Sequence, residues 1–169
     1  MSYTLGIQPT RVTDTAEFSL GTIAFDHAGC GYIYLEADSA IAAGFTVIVH
    51  ADGGCDEVGS TNGANGTGIG KLVAVAPEVA IASGQFFWGC VLAPAIAGKR
   101  AMLADSCLAH TRLKPLCDTA SAGILDDDED SAMYIRCLTA AVAGDASTGS
   151  LEVVNICWPH VAWDDIEAG

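Results

Sequence analysis

The stretch that most constrains the fold is residues 83–92, the densest run of apolar and aromatic side chains in the chain. It opens with a Ser-Gly turn, because glycine accepts backbone angles that other residues resist. The bulky side chains that follow are Phe86, Phe87, Trp88 and Val91. So many large groups predict a strand covered on both faces, with partners on both sides. Gly89 within it indicates a bulge or a close backbone approach, and Pro94 should end the strand.

Shorter strand patterns fill the rest of the chain, separated by glycine turns such as residues 52–54 and without a convincing amphipathic helix. They add Tyr32, Tyr34 and Val47 to the predicted core. Residues 80–84 (Ala-Ile-Ala-Ser-Gly) echo residues 40–44 (Ala-Ile-Ala-Ala-Gly), and each segment feeds an apolar strand. We therefore predict an all-β fold, a compact sandwich or small barrel of short antiparallel strands.

A length of 169 residues suits one domain. Residues 1–16 lack periodicity, which predicts an extended N-terminal arm. We assign residues 17–160 to the β domain and residues 161–169 to a C-terminal tail. Segments of this kind stay mobile unless another surface ties them down. Their apolar side chains are predicted contacts with a second subunit or a larger assembly: Tyr3, Leu5, Ile7, Trp163 and Ile166.

The composition limits the kinds of partner that the chain can be expected to bind. Seven Lys and Arg against 21 Asp and Glu give a net charge of −14, which repels phosphate backbones and argues against direct nucleic-acid binding. Apolar residues make up 51% and charged ones 17%, an excess that favours contacts between subunits. No apolar run is long enough for a membrane helix, and no signal-peptide pattern is present. Seven cysteines without a CxxC pair indicate buried, reduced thiols made in a cytoplasm.

Motifs for nucleotide, metal or covalent chemistry are incomplete. The glycine loop that ends at residues 68–71 has Asn65 in place of the first phosphate-loop glycine and Leu72 in place of the magnesium-binding Ser or Thr. The four histidines share no ligand spacing, and the acidic run 126–130 lacks the glycine and glutamate of a calcium hand. Cys157 and His160 are close in sequence, but this does not indicate a catalytic pair, because such pairs are defined by their positions in space. We expect no enzyme activity, no cofactor and no metal.

Three segments carry a family resemblance. They are residues 18–22 (Phe-Ser-Leu-Gly-Thr), residues 31–47 (Gly-Tyr-Ile-Tyr-Leu-Glu-Ala running into Ile-Ala-Ala-Gly-Phe-Thr-Val) and residues 81–88 (Ile-Ala-Ser-Gly-Gln-Phe-Phe-Trp). In this order they resemble the small capsid decoration, or cement, proteins of tailed bacteriophages. The resemblance covers most of residues 17–94, with Phe45 in place of the usual acidic residue and Ala93 in place of the usual glycine.

The resemblance implies a β-rich virion protein on the outer surface of an icosahedral phage head. Such a protein binds and braces the major capsid protein, often as a homotrimer, and the family brings no catalytic residues. Two alternatives remain. A head-fibre or tail-associated β module for receptor or glycan attachment should show exposed aromatic side chains on long loops. An enzyme would need a cysteine and a histidine that converge in a cleft.

Overall fold

A computed structural model describes residues 7–59, 70–104, 107–110, 112–115, 122–127, 133–141 and 150–163. The described part contains eleven strands, one short 3₁₀ turn at Ala95–Ala97 and no α-helix, so the predicted all-β fold is confirmed. The strands are β1 (Ile23–Phe25), β2 (Gly31–Ala37), β3 (Thr46–Val49), β4 (Gly54–Glu57), β5 (Val73–Val75), β6 (Phe86–Ala93), β7 (Arg100–Leu103), β8 (Arg112–Pro115), β9 (Leu125–Asp126), β10 (Met133–Ala140) and β11 (Ser150–Trp163).

Five strands close into a barrel, which we call the N-terminal barrel. Its pairings run β2–β4–β3–β5–β6 and return from β6 to β2. The β2–β4 pair is parallel and the other four are antiparallel. Apolar side chains fill the interior, among them Ile33, Leu35, Val47, Phe87 and Val91. Since barrel diameter grows with strand number, a barrel of five strands is narrow enough for such side chains to fill it without leaving a channel.

The predicted central strand is β6, and the structure confirms its place. It pairs with β2 and β5, and its end at Leu92 and Ala93 pairs with β11. Gly89 is a close-approach position, because a methyl group there would lie 2.9 Å from the Ala74 Cβ and 3.0 Å from the Leu35 Cδ1. The strand ends at Ala93, directly before Pro94.

The side chains predicted for the core lie on β2, β3 and β6, and those of β6 lie on both of its faces. Tyr34 and Trp88 face away from the barrel interior, yet both are buried. Phe86 is half-buried and packs against the same outer face. The remaining predicted core residues, all buried, are Tyr32, Val47, Phe87 and Val91. The β2–β6 pair therefore has no solvent-facing side, as the density of bulky residues requires.

An aromatic cluster on the outer face of β2 and β6 is covered by residues 13–18, which we call the N-terminal segment. The Phe18 ring centroid lies 5.3 Å from that of Tyr34 and 5.1 Å from that of Trp88, both edge to face. The Glu17 N–H donates to the Tyr34 hydroxyl at 3.0 Å. Thr13 exchanges two backbone hydrogen bonds with Phe86. The segment therefore acts as a cover for β2 and β6.

This packing corrects the interpretation of Ile7. The sequence predicts that Ile7 contacts a second subunit or a larger assembly, but its side chain is buried against the core of its own chain. The reason is that the segment that follows is tied to β6 at Thr13. At the other end, β11 continues through Trp163, past the predicted boundary at 160, and the Trp163 backbone pairs with Met133. Tyr3, Leu5 and Ile166 lie outside the described residues.

The remaining strands repeat the barrel's order. In what we call the C-terminal ring, the pairings run β7–β9–β8–β10–β11 and return from β11 to β7. The β7–β9 pair is parallel and the other four are antiparallel, as in the N-terminal barrel. In each unit the first strand therefore lies parallel to the third and antiparallel to the fifth. The β6–β11 pair joins the two units, so the chain is a tandem of two topologically equivalent halves.

The buried position of Trp88 leads to a test. We expect Trp88→Ala to reduce the free energy of unfolding by about 3–5 kcal/mol, because it empties the centre of the aromatic cluster. Trp88→Phe is the control and should lose less, since a ring still meets Phe18 and Tyr34. Urea denaturation measures both. An alanine variant with unchanged stability would contradict this placement of the cluster.

Candidate attachment surface

The outer strand β1 exposes two large apolar side chains. β1 pairs with β2, and its other edge meets no strand among the described residues. Ile23 is 48% exposed and Phe25 is 43% exposed, while Ala24 between them packs against the core. A free edge also offers unpaired backbone donors and acceptors to another chain. The strand therefore has both apolar side chains and backbone groups available for a partner.

A third exposed apolar side chain lies at the same end of the sheet. Phe25 is opposite Gly31 on β2, and Gly31 is opposite Leu92 on β6, so the three form one row across the sheet. Strands are about 4.8 Å apart, and the row therefore spans roughly 10 Å. Ile96 follows shortly after Leu92, in the 3₁₀ turn, and is 95% exposed. We call Ile23, Phe25 and Ile96 the edge patch.

The Ile96 turn is fixed in place. Gly98 ends it in the left-handed conformation at φ 65°, which glycine adopts without steric cost. The Ala95 N–H donates to the Asn155 Oδ1 at 2.9 Å, which ties the turn to β11. Because the backbone of this turn is already ordered, binding a partner through Ile96 would cost little backbone entropy.

Asp26 braces the turn between β1 and β2, beside Phe25. Its Oδ1 accepts hydrogen bonds from the backbone N–H groups of Ala28 and Cys30, both at 2.9 Å, and its Oδ2 accepts one from the Tyr32 hydroxyl at 3.0 Å. Burial opposes ionisation, but the three hydrogen bonds and the charge of Lys99 outweigh it and lower the pKa of Asp26. The ionised carboxylate therefore stabilises this turn.

Beside this turn lie a lysine and two thiols. The Lys99 Nζ lies 5.3 Å from the centroid of the Tyr32 ring, a cation–π arrangement. Cys30 and Cys90 are both buried. Burial raises the pKa of the Cys30 thiol, and burial raises that of Cys90 to about 12. Both thiols are therefore protonated at neutral pH and are poor nucleophiles.

A cavity of about 230 Å³ lies near this lysine, bounded by Thr10, Val75 and Cys90 among others. Arg100 also borders it, but its guanidinium is paired with the Glu78 carboxylate through two hydrogen bonds. The cavity combines one aromatic-bound lysine, one paired arginine and a protonated thiol. This set contains no activated nucleophile with a matching base.

Two groups of side chains contain metal-ligand atoms close together. In the first, the His50 Nδ1 lies 3.0 Å from the Asp38 Oδ2 and the His50 Nε2 lies 3.9 Å from the Asp56 Oδ2. The two ring nitrogens thus face different carboxylates. Sequence spacing does not indicate this group, because its members belong to three separate parts of the sheet: Asp38 follows β2, His50 follows β3 and Asp56 lies in β4.

The second group consists of Cys107, Asp126 and Asp127. Burial, followed by the charge of Asp126, raises the pKa of the Cys107 thiol to about 12. A thiol must lose its proton to bind a metal ion, so this environment opposes a thiolate ligand unless a cation compensates. The residues of the predicted acidic run beyond Asp127, at 128–130, lie outside the described part.

Comparisons of the chain with models of protein families, with curated proteins and with solved structures find no match. Among the described residues no helix is both long and apolar enough to cross a membrane.

The role of Asp26 leads to a pH test. We expect Asp26→Ala to reduce stability by about 1–2 kcal/mol near neutral pH, a loss limited by solvent screening. Since the folded state lowers the pKa of Asp26, the stabilisation is complete above about pH 4, the ordinary value for aspartate, and disappears as the pH falls through the lowered value. Denaturation curves at several pH values measure it.

The matched control is Asp26→Asn, which keeps an oxygen for the two backbone donors and should fall between wild type and the alanine variant. A stability difference between wild type and Asp26→Ala that stays constant from pH 7 to acid pH would contradict the role given to the charge.

Proposed function

We propose that this chain is a structural virion protein that binds the outer surface of an icosahedral phage head and stabilises the shell of the major capsid protein. In this proposal it acts as a decoration or cement protein, has no catalytic role and needs no cofactor. Its partners are the major capsid protein and further copies of itself. It is made in the host cytoplasm and resides on the capsid exterior.

The three segments that resemble decoration proteins support the proposal through their places in the fold. Residues 31–47 contain β2 and the start of β3, and residues 81–88 lead into β6. Residues 18–22 hold Phe18, which closes the aromatic cluster on those strands. The resembling residues thus build one contiguous unit, the N-terminal barrel and its cover.

The edge patch is the single observation that carries the proposal. Two of its side chains lie on a strand edge that no described strand covers, and the third is on a braced turn at the same end of the sheet. Apolar side chains presented together on a rigid scaffold are typical of a contact that assembles without large rearrangement. The occupant we propose for this patch is the outer surface of the capsid shell.

The charge distribution defines the chemistry of the matching capsid surface. The chain carries a net charge of −14, and three of its cations are already engaged, Arg11 with Glu17, Arg100 with Glu78, and Lys99 with the Tyr32 ring. A complementary surface should therefore be apolar where it meets the edge patch and basic around it. The same acidic surface disfavours contact with the packaged nucleic acid.

Attachment is tested with heads that lack the decoration protein. We expect wild type to co-sediment with undecorated heads of its own phage and to raise their disruption temperature. Ile96→Asp should weaken binding by at least about tenfold, because a charged group would replace an apolar anchor. Phe25→Asp tests the strand edge in the same way. Val79→Asp is the matched control, since Val79 is also exposed and apolar but precedes β6 at its opposite end.

Wild-type protein that neither sediments with heads nor stabilises them would overturn the proposed function, and binding to host cells instead would favour a receptor-binding module. If wild type, Ile96→Asp and Phe25→Asp are all folded and bind heads equally well, the proposed function would still hold. The edge patch would then not be the attachment surface.

The proposed assembly is a homotrimer. At micromolar concentration we expect sedimentation equilibrium to give about three times the chain mass of 17.3 kDa, or trimers to form when the protein binds heads. The physical reason is the high apolar and low charged fraction of the chain. A monomer in solution that also occupies heads as isolated single copies would contradict this state.

A further inference from the structure

The β10–β11 pair contains a bulge that separates two regular stretches. Arg136 is opposite His160 and Leu138 is opposite Ile156, so a single residue of β10, Cys137, lies across from three residues of β11. Extra residues of this kind redirect side chains and increase local twist. The first of the three β11 residues is Cys157.

The backbone at this bulge is strained on both strands. Cys137 has φ 64° and Trp158 has φ 51°, in the left-handed region that side chains other than glycine rarely adopt. Among the described residues, His110 is the third non-glycine residue with positive φ. Two such residues facing each other across one strand pair require support from the surrounding structure, and strain of this kind points toward a functional position.

Both cysteines point to the outside of the strand pair. Leu138 and Ile156, which are opposite each other, are both buried. Their neighbours Cys137 and Cys157 are both exposed, so the two thiols lie on the same outer face. The other described cysteines are all buried. Extending the Leu138–Ile156 register by one residue brings Cys137 and Cys157 to the same point of the strand pair, where the bulge begins. Opposed residues of an antiparallel pair have Cα atoms about 4.5–5.5 Å apart, and a disulfide spans about 4.4–6.8 Å, so small adjustments at the bulge suffice to join the two thiols.

We infer that Cys137 and Cys157 form a reversible cross-strand dithiol–disulfide pair that reacts with small-molecule disulfides. One cysteine thiolate attacks a sulfur of the small disulfide and expels one small thiolate, leaving a mixed disulfide on the protein. The second cysteine thiolate attacks the protein sulfur of that bond and expels the second small thiolate. The two cysteines lose two electrons and two protons, and the small disulfide becomes two thiols.

The bond would join β10 to β11 where their regular pairing is interrupted. Since β10 and β11 are neighbours in the C-terminal ring, the link would hold that ring closed on this side. The thiols stay reduced in a cytoplasm that holds glutathione reduced, and they oxidise in an environment that lacks this buffer. This inference is independent of the proposed function, because it depends on the bulge and the two thiols alone.

The test uses the full chain and oxidised glutathione under native conditions, followed by denaturing alkylation and trypsin. No Lys or Arg follows Arg136, so residues 137–169 form one tryptic peptide whose cysteines are Cys137 and Cys157. We expect this peptide to carry neither glutathione nor an alkyl group and to regain both thiols after dithiothreitol. The oxidised protein should also melt several degrees above the reduced one.

The matched control combines Cys137→Ser with Thr139→Cys. Thr139 is opposite Asn155, so the thiol moves two residues along the same strand and out of register with Cys157. We expect bond formation to slow at least about tenfold and a glutathione adduct to accumulate instead. A wild-type peptide with two glutathiones or two alkyl groups, or equal rates in wild type and control, would overturn the inference.

Discussion

The structure depends on one strand pair that is buried on both faces. On β2 and β6, Leu35 and Phe87 fill the N-terminal barrel, while Tyr34 and Trp88 point the other way and are also buried. A pair with no side facing water must be covered twice. The barrel supplies one cover, and the N-terminal segment with Phe18 supplies the other. The end of β6 then joins β11, so the C-terminal ring is attached to the same pair.

This constraint also positions the surface that we propose for attachment. β1 adds to the free side of β2, and the Ile96 turn continues from the end of β6, so both extend from this buried pair. Asp26 fixes one of these connections and Asn155 the other. A scaffold held so firmly can present apolar side chains at a small entropic cost, which suits a protein that strengthens a shell by binding to it.

The sequence predicted what depends on local patterns and missed what depends on distant partners. Side-chain density identified β6, and Pro94 and Gly89 marked its end and its closest approach to a neighbour. The sequence assigns Ile7 to a mobile arm, because nothing near it in sequence reveals that Thr13 is hydrogen-bonded to β6. The similar segments 40–44 and 80–84 pair with each other through a bridge between Ile41 and Ile81. The repeated strand order of the two halves consists of strand pairings and has no comparable signal in the sequence. The edge patch was missed for the same reason, since exposure of Ile96 follows from the turn that holds it.

The dependence on β2 and β6 is tested most directly by native-state hydrogen exchange of the backbone amides. If this pair holds both halves together, the amides of residues 32–36 and 87–90 should exchange through global unfolding, with the highest protection in the chain. The amides of the short strands β8 and β9 should exchange through smaller openings. Exchange of the β2–β6 amides at a lower free energy than those of β10 and β11 would contradict the account, because the C-terminal ring would then stay folded without the pair that is said to support it.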